Sequence, residues 1–423
     1  VGAGIFAVPA ALSASVGAYA PIAFLMCALA MGSIGICFAE GGSRVPTSGG
    51  AYGYIDEAFG PFVAYVAGTL LWVSNVLACG GLAAAVADIV TTLAPSSLAA
   101  PVHALVIVGV VTAIAAVNLS GVSRGARLVS AATLVKLIPL VLFVVAGASA
   151  IDRTRLLASG NVDPSGLGRA VSLALFALSG MEGAVSASGE VANPARAIPR
   201  AIGAALSLVT VLYISVQIVA QGILGDALAR SSAPLVDAMT QVHPSLRAVM
   251  LAGAVLSMLG FVSSDLLSTP RILFAFGRDG LMPRALGRLH PRTHTPHVAI
   301  VCYASIAMLL ALTGTFAQLA VLSMLAIAPL YMAACAAAWR LARRGVAMAG
   351  PPFGFRWLGV SATAGVASMV VLIALASRSE MAGLGAVLGL STLGYVVRPS
   401  RGVPATTAPS ALAGAVAEES EPV

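Results

Sequence analysis

Two glycine-rich interruptions and one lysine carry the chemistry that can be read from this sequence. The first interruption is Gly2-Ala3-Gly4-Ile5-Phe6, followed by Pro9, and the second is Ser179-Gly180-Met181-Glu182-Gly183. Both lie inside apolar runs. Glycine in a membrane-depth helix lets the backbone unwind, and unwound backbone there must line a cavity because lipid offers its polar groups no partner. The N-terminus of a half-helix then turns free N–H groups toward an anion, while unwound carbonyls face a cation. An amino acid carries both charges on neighbouring atoms, so a pair of breaks can hold the zwitterion without a charged side chain. The competing reading is that these glycines serve close helix packing. The breaks, however, fall in corresponding places of two halves of the chain, the arrangement that points to a transporter's binding site.

Lys136 is the only lysine in the chain and sits in an apolar run nine residues after Arg127, about 13.5 Å along a helix. That is near the middle of a ~30 Å hydrocarbon core. A lone ammonium there costs roughly 2.5–3.5 kcal/mol on insertion scales, so Lys136 is expected to face the bundle and to serve proton coupling. The alternative is a snorkelling or packing cation satisfied by carbonyls. Glu182 reads either as a gating or proton-sensing carboxylate or as an acceptor for unwound N–H groups. Asp265 reads as a structural partner of a nearby hydroxyl in preference to a recognition group for a cationic side chain. Asp88 and Glu40 read as boundary residues. His290, His294 and His297 lie in a Pro- and Arg-rich loop whose prolines break any metal-ligand spacing, so neither a metal nor a cofactor is expected beyond a coupling proton.

The elements that position these residues follow from composition. Of 423 residues 59% are hydrophobic and 9% charged, against roughly 25% charged in soluble proteins; mean hydropathy is +0.98. Such a chain cannot build a charged skin. A soluble enzyme, a secreted disulfide scaffold and a nucleic-acid-binding domain are thereby excluded, and an all-α polytopic membrane protein is expected. Apolar runs fall at 1–16, 18–40, 61–93, 102–118, 129–149, 169–189, 201–222, 247–275, 297–313, 318–339, 355–377 and 381–397. That gives about 12 transmembrane segments, the first of them partial, with an upstream half-helix expected before Val1. The runs are continuously apolar, not dyad-alternating, which favours helices over a barrel. With a cytoplasmic N-terminus, sixteen arginines fall in inside loops and six outside, and this bias sets the orientation, both termini being cytoplasmic. It also accounts for the net charge of +7 without a nucleic-acid partner. The first arginine is Arg44, so no signal peptide is read. The five cysteines lie in apolar runs without CxxC spacing and read as small buried hydrophobes.

Four stretches carry a family resemblance. GAGIFAVPA, PTSGGAYGYIDEAFGPF (46–62), LFALSGMEGAVSASGEVANPARAIPRAI (175–202) and STPRILFAFGRDGLMP (268–283) occur in the order, and at the places, where the amino acid–polyamine–organocation superfamily of secondary transporters has its first broken helix, its segment 2–3 connection, its sixth helix with the loop after it, and the end of its eighth helix. The chain resembles that superfamily over nearly its whole length. The resemblance implies a five-plus-five inverted-repeat fold with broken helices 1 and 6, and alternating access. The first repeat would be 1–149, an extracellular connection 150–168, the second repeat 169–339, segments 11 and 12 340–397, and a disordered cytoplasmic tail 398–423. It also implies a substrate carboxylate on the N–H groups around Gly2, Ala3, Gly4 and Ile5. The ammonium would meet carbonyls of Phe176 and Ser179 beside Gly180, with the Phe176 ring as a gate. Ser74, Asn75 and Cys79 would line the side-chain pocket, with Asp265 near the same cavity. A lysine at position 136 resembles those of sodium-independent, proton-coupled relatives. Many relatives carry Ser or Thr where this chain has Ala3, which removes one hydroxyl contact.

The expected activity is therefore secondary transport of an amino acid or amine across the cytoplasmic membrane, with membrane lipid as surroundings and no nucleic acid. An amino acid/amine exchanger, polyamines included, is the near alternative. A non-transporting sensor or accessory subunit is the alternative of a different class, against which every loop is too short for a folded extramembrane domain. An intramembrane enzyme is disfavoured, because the runs hold no HExxH motif and no paired catalytic carboxylates. Substrate identity, direction and oligomeric state are not legible.

Overall fold

The computed structural model describes residues 3–46, 50–120, 137–156, 164–182, 193–348 and 350–397. Among them every regular element is helical. In chain order the α-helices are α1 (Val8–Val16), α2 (Ala20–Arg44), α3 (Ala51–Phe59), α4 (Pro61–Thr91), α5 (Ala99–Leu119), α6 (Leu137–Gly147), α7 (Pro164–Leu178) and α8 (Pro194–Leu224). They continue as α9 (Pro234–Val242), α10 (Leu246–Ser268), α11 (Pro270–Arg278), α12 (His297–Thr313), α13 (Phe316–Arg343), α14 (Leu358–Ala374) and α15 (Arg378–Val397). Prolines open α1, α2, α4, α8, α9 and α11 in their first turn, where the missing N–H has no intrahelical acceptor to lose. Helix α13 begins with a reciprocal cap: Gln318 N–H donates to Thr315 Oγ1 at 3.4 Å, and Thr315 N–H to Gln318 Oε1 at 3.2 Å.

Among the described residues seven helical stretches are long and apolar enough to cross a membrane: Val8–Arg44, Pro61–Thr91, Ser96–Leu119, Pro194–Arg230, Leu246–Arg278, Phe316–Arg343 and Arg378–Val397. Shorter apolar helices occupy Leu137–Ala150, Gly166–Leu178, His297–Thr313 and Leu358–Ala374. The chain is a multi-pass membrane protein. Its outer surface shows the side chains a bilayer requires, with Leu105, Val211 and Leu390 all more than half exposed.

Each of the twelve apolar runs overlaps a helix, with differences at the ends. Run 247–275 is divided, because Pro270 cannot donate into the turn before it and starts α11 behind Thr269. Run 18–40 continues to Arg44, so Glu40 lies a full turn inside α2 and is fully buried. There it pairs with Arg44 at 2.7 Å and accepts Phe355 N–H at 3.0 Å, while Arg44 Nη1 donates to the Val346 carbonyl at 2.9 Å. Glu40 is thus no simple boundary residue: it and Arg44 pin the α13–α14 connection to the end of α2. The short helices α3 and α9, nine residues each, fall between the runs.

Helix α4 is the hub, packing on α13, α12, α10, α5, α3 and α15. Its contact with α12 is close because of Gly80, where an added Cβ would stand 3.0 Å from the Ala307 carbonyl oxygen and 3.0 Å from Leu310 Cβ. Around this hub α1 packs on α7, α2 on α8 and α5 on α12. Helix α10 meets α5 and α6, α2 meets α13 and α7, and α8 meets α6 and α1.

Candidate functional site

Both interrupted runs lose α-helical geometry, at Gly4 and at Gly180. Residues Ala3–Phe6 form a 3-10 turn, Ala7 N–H donates to the Gly4 carbonyl at 2.9 Å, and α-helix starts only at Val8. The first N–H groups of such a turn have no acceptor within it. In the second run α7 stops at Leu178, and Ser179 and Gly180 are outside any helix. Gly180 has φ +112°, a conformation that side-chain-bearing residues rarely adopt.

The first break touches the last turn of α7, the helix that leads into the second. A Cβ placed on Gly4 would lie 3.0 Å from Phe176 Cε1 and 3.4 Å from Cδ1. The half-buried Phe176 ring also stands edge-on to Phe316 at the start of α13, with centroids 5.9 Å apart. The Phe176 carbonyl accepts the Ser179 N–H at 3.3 Å and the Ser179 hydroxyl at 2.7 Å. Both its lone pairs are engaged in this conformation, so it is not an open acceptor.

Glu182, just past the second break, closes it. Its Oε2 accepts Tyr331 Oη–H of α13 at 3.0 Å. The same carboxylate also faces the backbone of Gly180 and of its own residue, N–H groups that the interruption leaves without helical acceptors. Tyr331 is fully buried, edge-on to Phe38 at 5.5 Å.

Asp265 on α10 is the centre of a second polar group. It accepts the Thr269 hydroxyl at 2.7 Å and the Tyr303 hydroxyl of α12, and the Cys79 thiol of α4 stands beside it. Asn75 Nδ2 donates to Thr269 Oγ1 at 3.1 Å and joins the network. Residues 75 and 79 share one helix face, being four apart. Ser74 does not share it. Its hydroxyl lies 3.0 Å from that of Ser323 on α13, and Ser323 Oγ donates to the Ser74 carbonyl at 2.8 Å. One residue is about 100° of helix rotation, and that turns Ser74 from the expected pocket face into the α4–α13 interface. Trp72 stands edge-on to Tyr303, centroids 6.0 Å apart.

A cavity of about 120 Å³ lies beside Ser179 and Gly180, walled otherwise by α7 and α8 residues such as Ala177 and Leu206. None of the α1, α4 or α10 residues expected at the site lines it. Gly2 and Lys136 lie outside the described residues, as do the residues after Glu182 up to 192, and the side chain of Ala3 is likewise not described. Tyr303, Tyr331, Thr269 and Ser323 were not singled out from the sequence. The signal for the tyrosines was present, since a hydroxyl inside an apolar run has to find an acceptor, and Asp265 and Glu182 are acceptors inside other runs.

Comparison with known proteins identifies the family. The family model for amino acid permeases matches residues 1–397. An uncharacterized transporter of Mycobacterium tuberculosis is 33% identical over 318 residues, covering 74% of this chain and 70% of that protein. The methylthioribose transporter of Bacillus subtilis is 27% identical over 312 residues, 70% of this chain and 68% of its own. The serine/threonine exchanger of the same organism is 26% identical over 354 residues, 81% and 80% respectively. With two interrupted apolar runs and a family match over almost its full length, this chain belongs to the amino acid permease family of the amino acid–polyamine–organocation superfamily.

Proposed function

We propose that this protein carries neutral amino acids across the cytoplasmic membrane by alternating access, driven by protons and independent of sodium. The observation that carries this reading is the contact at Gly4 and Phe176 between the first break and the end of the helix that leads into the second. The zwitterion's carboxylate sits on the N–H groups of Ala3, Gly4 and Ile5. Its ammonium faces the backbone around Ser179 and Gly180, with Ser179 releasing the Phe176 carbonyl as substrate enters.

A neutral side chain is favoured because the Asp265 carboxylate is already engaged by Tyr303 and Thr269. A cationic substrate would have to displace those donors. Asn75 and Cys79 form the side-chain wall, and Phe176 is the gate. Lys136 is the coupling cation. Glu182 acts first as the acceptor that holds the second break in shape.

Helix pairing supports two inverted halves. Number the spans α1, α2, α4, α5 and α6 as the first five, and α7, α8, α10, α12 and α13 as the second five. Exchanging each with its counterpart turns the α4–α13 contact into α10–α6, α4–α12 into α10–α5, α2–α13 into α8–α6, and α2–α7 into α8–α1, all of which occur. The nine-residue helices α3 and α9 occupy matching places. Two halves that can rock against each other around a shared site are what alternating access needs.

Exchange is the second reading, favoured by the similarity to the serine/threonine exchanger. Purified protein in proteoliposomes separates the two. Uptake into empty vesicles under an imposed inward proton gradient supports symport, and uptake only into vesicles preloaded with amino acid supports exchange. Absence of both, with protein correctly inserted, contradicts the transport reading.

A further inference from the structure

At the arginine-rich end of the bundle a cavity of about 380 Å³ is lined by Phe59, Ala336, Trp339, Arg340, Arg343 and Arg344. It lies between the short helix α3 and the last turn of α13. The Arg340 guanidinium stacks over the Phe59 ring, 5.1 Å from its centroid, and that of Arg343 over Trp339 at 5.3 Å. Stacking fixes the guanidinium planes and leaves their N–H edges free for oxygen acceptors. Among the described residues no carboxylate pairs with any of the three arginines. Three arginines around one cavity, two of them held over aromatic rings and none paired with a carboxylate among the described residues, form an anion site with the fork geometry that matches phosphate oxygens.

The level of the cavity decides which phosphate. Trp339 is 45% exposed and Trp357 is 60% exposed. Trp357 immediately precedes α14, and a Cβ on Gly359 of α14 would lie 3.6 Å from Trp339 Nε1. Exposed tryptophans at the ends of apolar helices mark the headgroup layer. Arg356 stacks over Trp357 in the same manner, at 5.5 Å. Next to it, Val360 of α14 is 63% exposed, an apolar surface for acyl chain.

We propose that this cavity binds the phosphodiester headgroup of an anionic membrane phospholipid, which bridges α3 to the end of α13. Free phosphate shares the headgroup's charge chemistry but has no use for the exposed Trp339 rim or the apolar surface beside it. Basic pockets between membrane helices recognise anionic lipid in this way.

Trp339 reports on its own site. The full chain is reconstituted in phosphatidylcholine with a small fraction of either brominated phosphatidylglycerol or brominated phosphatidylcholine, and tryptophan fluorescence is recorded. Brominated phosphatidylglycerol is expected to quench more strongly at equal mole fraction, and Trp339→Phe is expected to remove that excess. Each of Arg340→Gln, Arg343→Gln and Arg344→Gln is expected to weaken the preference about fivefold. Equal quenching by the two lipids, or an excess that survives all three single substitutions, overturns the proposal. Loss of the excess on adding millimolar inorganic phosphate, with no change on adding sodium chloride of equal ionic strength, also overturns it, by making free phosphate the ligand.

Discussion

Gly4 lies against the edge of the Phe176 ring, so close that a methyl group on Gly4 would meet Cε1 at 3.0 Å. Through this one contact a 3-10 turn ahead of α1 and the broken end of α7 share a wall. Gly4→Ala would set a methyl group against the ring more tightly than ordinary van der Waals contact. Overpacking of that kind costs about 1–3 kcal/mol, so amino acid uptake should fall about five- to one-hundred-fold at unchanged membrane abundance. Phe176→Leu, combined with Gly4→Ala, should recover part of the loss. Measuring uptake of the two single variants and the double variant gives the coupling, and strictly additive losses would show that the two residues do not share a wall.

The Asp265 network predicts a stability effect separable from transport. Tyr303→Phe removes one donor from a buried carboxylate and should lower stability by about 1–3 kcal/mol, read as a lower melting temperature in detergent. The same variant should raise uptake of cationic amino acids relative to neutral ones, because an acceptor is set free. Unchanged selectivity would mean that Asp265 does not face the substrate.

Ser74 and Cys79 should behave differently although both lie on α4. Ser74→Ala breaks the pairing with Ser323 and should cost about 0.5–1.5 kcal/mol of stability while leaving the substrate profile as it is. Cys79→Val adds volume beside Asp265 and should shift the profile toward smaller side chains. Competition assays with a panel of amino acids distinguish the two.

Glu182 and Tyr331 form one unit across α13 and the second break. Glu182→Gln keeps an acceptor oxygen and should retain most uptake, whereas Glu182→Ala leaves unwound N–H groups without a partner and should destabilise by about 1–3 kcal/mol. If Glu182→Gln alone abolishes proton dependence while uptake persists, the carboxylate belongs to the coupling machinery and not to the scaffold.

The sequence and the structure agree most where physics is local. Continuous apolar runs demand helices whatever their neighbours, and the glycine clusters at Gly4 and Gly180 announce their interruptions, at Gly180 because no other residue so readily tolerates a φ such as +112°. Helix α11 was hidden, because apolar residues continue past Pro270 and mask the division. Helices α3 and α9 were hidden because nine amphipathic residues lack the length of a span. The facing of Ser74 was missed for a different reason: neighbours on a helix differ by about 100°, and only the position of α13 decides which of Ser74 and Asn75 turns toward α10. Pairings such as Asp265 with Tyr303, 38 residues apart, and Glu182 with Tyr331, 149 apart, are products of the tertiary fold. What the sequence does supply is the requirement that each buried hydroxyl and carboxylate find a partner.

Lys136 is tested by Lys136→Ala in proteoliposomes. Proton-driven accumulation should disappear, while exchange between equal internal and external amino acid, which needs no driving force, should persist. Proton-driven accumulation that survives the substitution removes Lys136 from the mechanism.

The measurement that tests the account most directly is binding of one neutral amino acid beside two analogues, its amine lacking the carboxylate and its acid lacking the ammonium, by isothermal titration of the full chain. The account predicts that each deletion weakens binding by at least about tenfold, since each removes a charge-assisted contact worth roughly 1.5–3 kcal/mol, and that Gly4→Ala blunts the dependence on the carboxylate. An amine that binds as tightly as the parent amino acid would contradict the assignment of the carboxylate to the break at Ala3, Gly4 and Ile5.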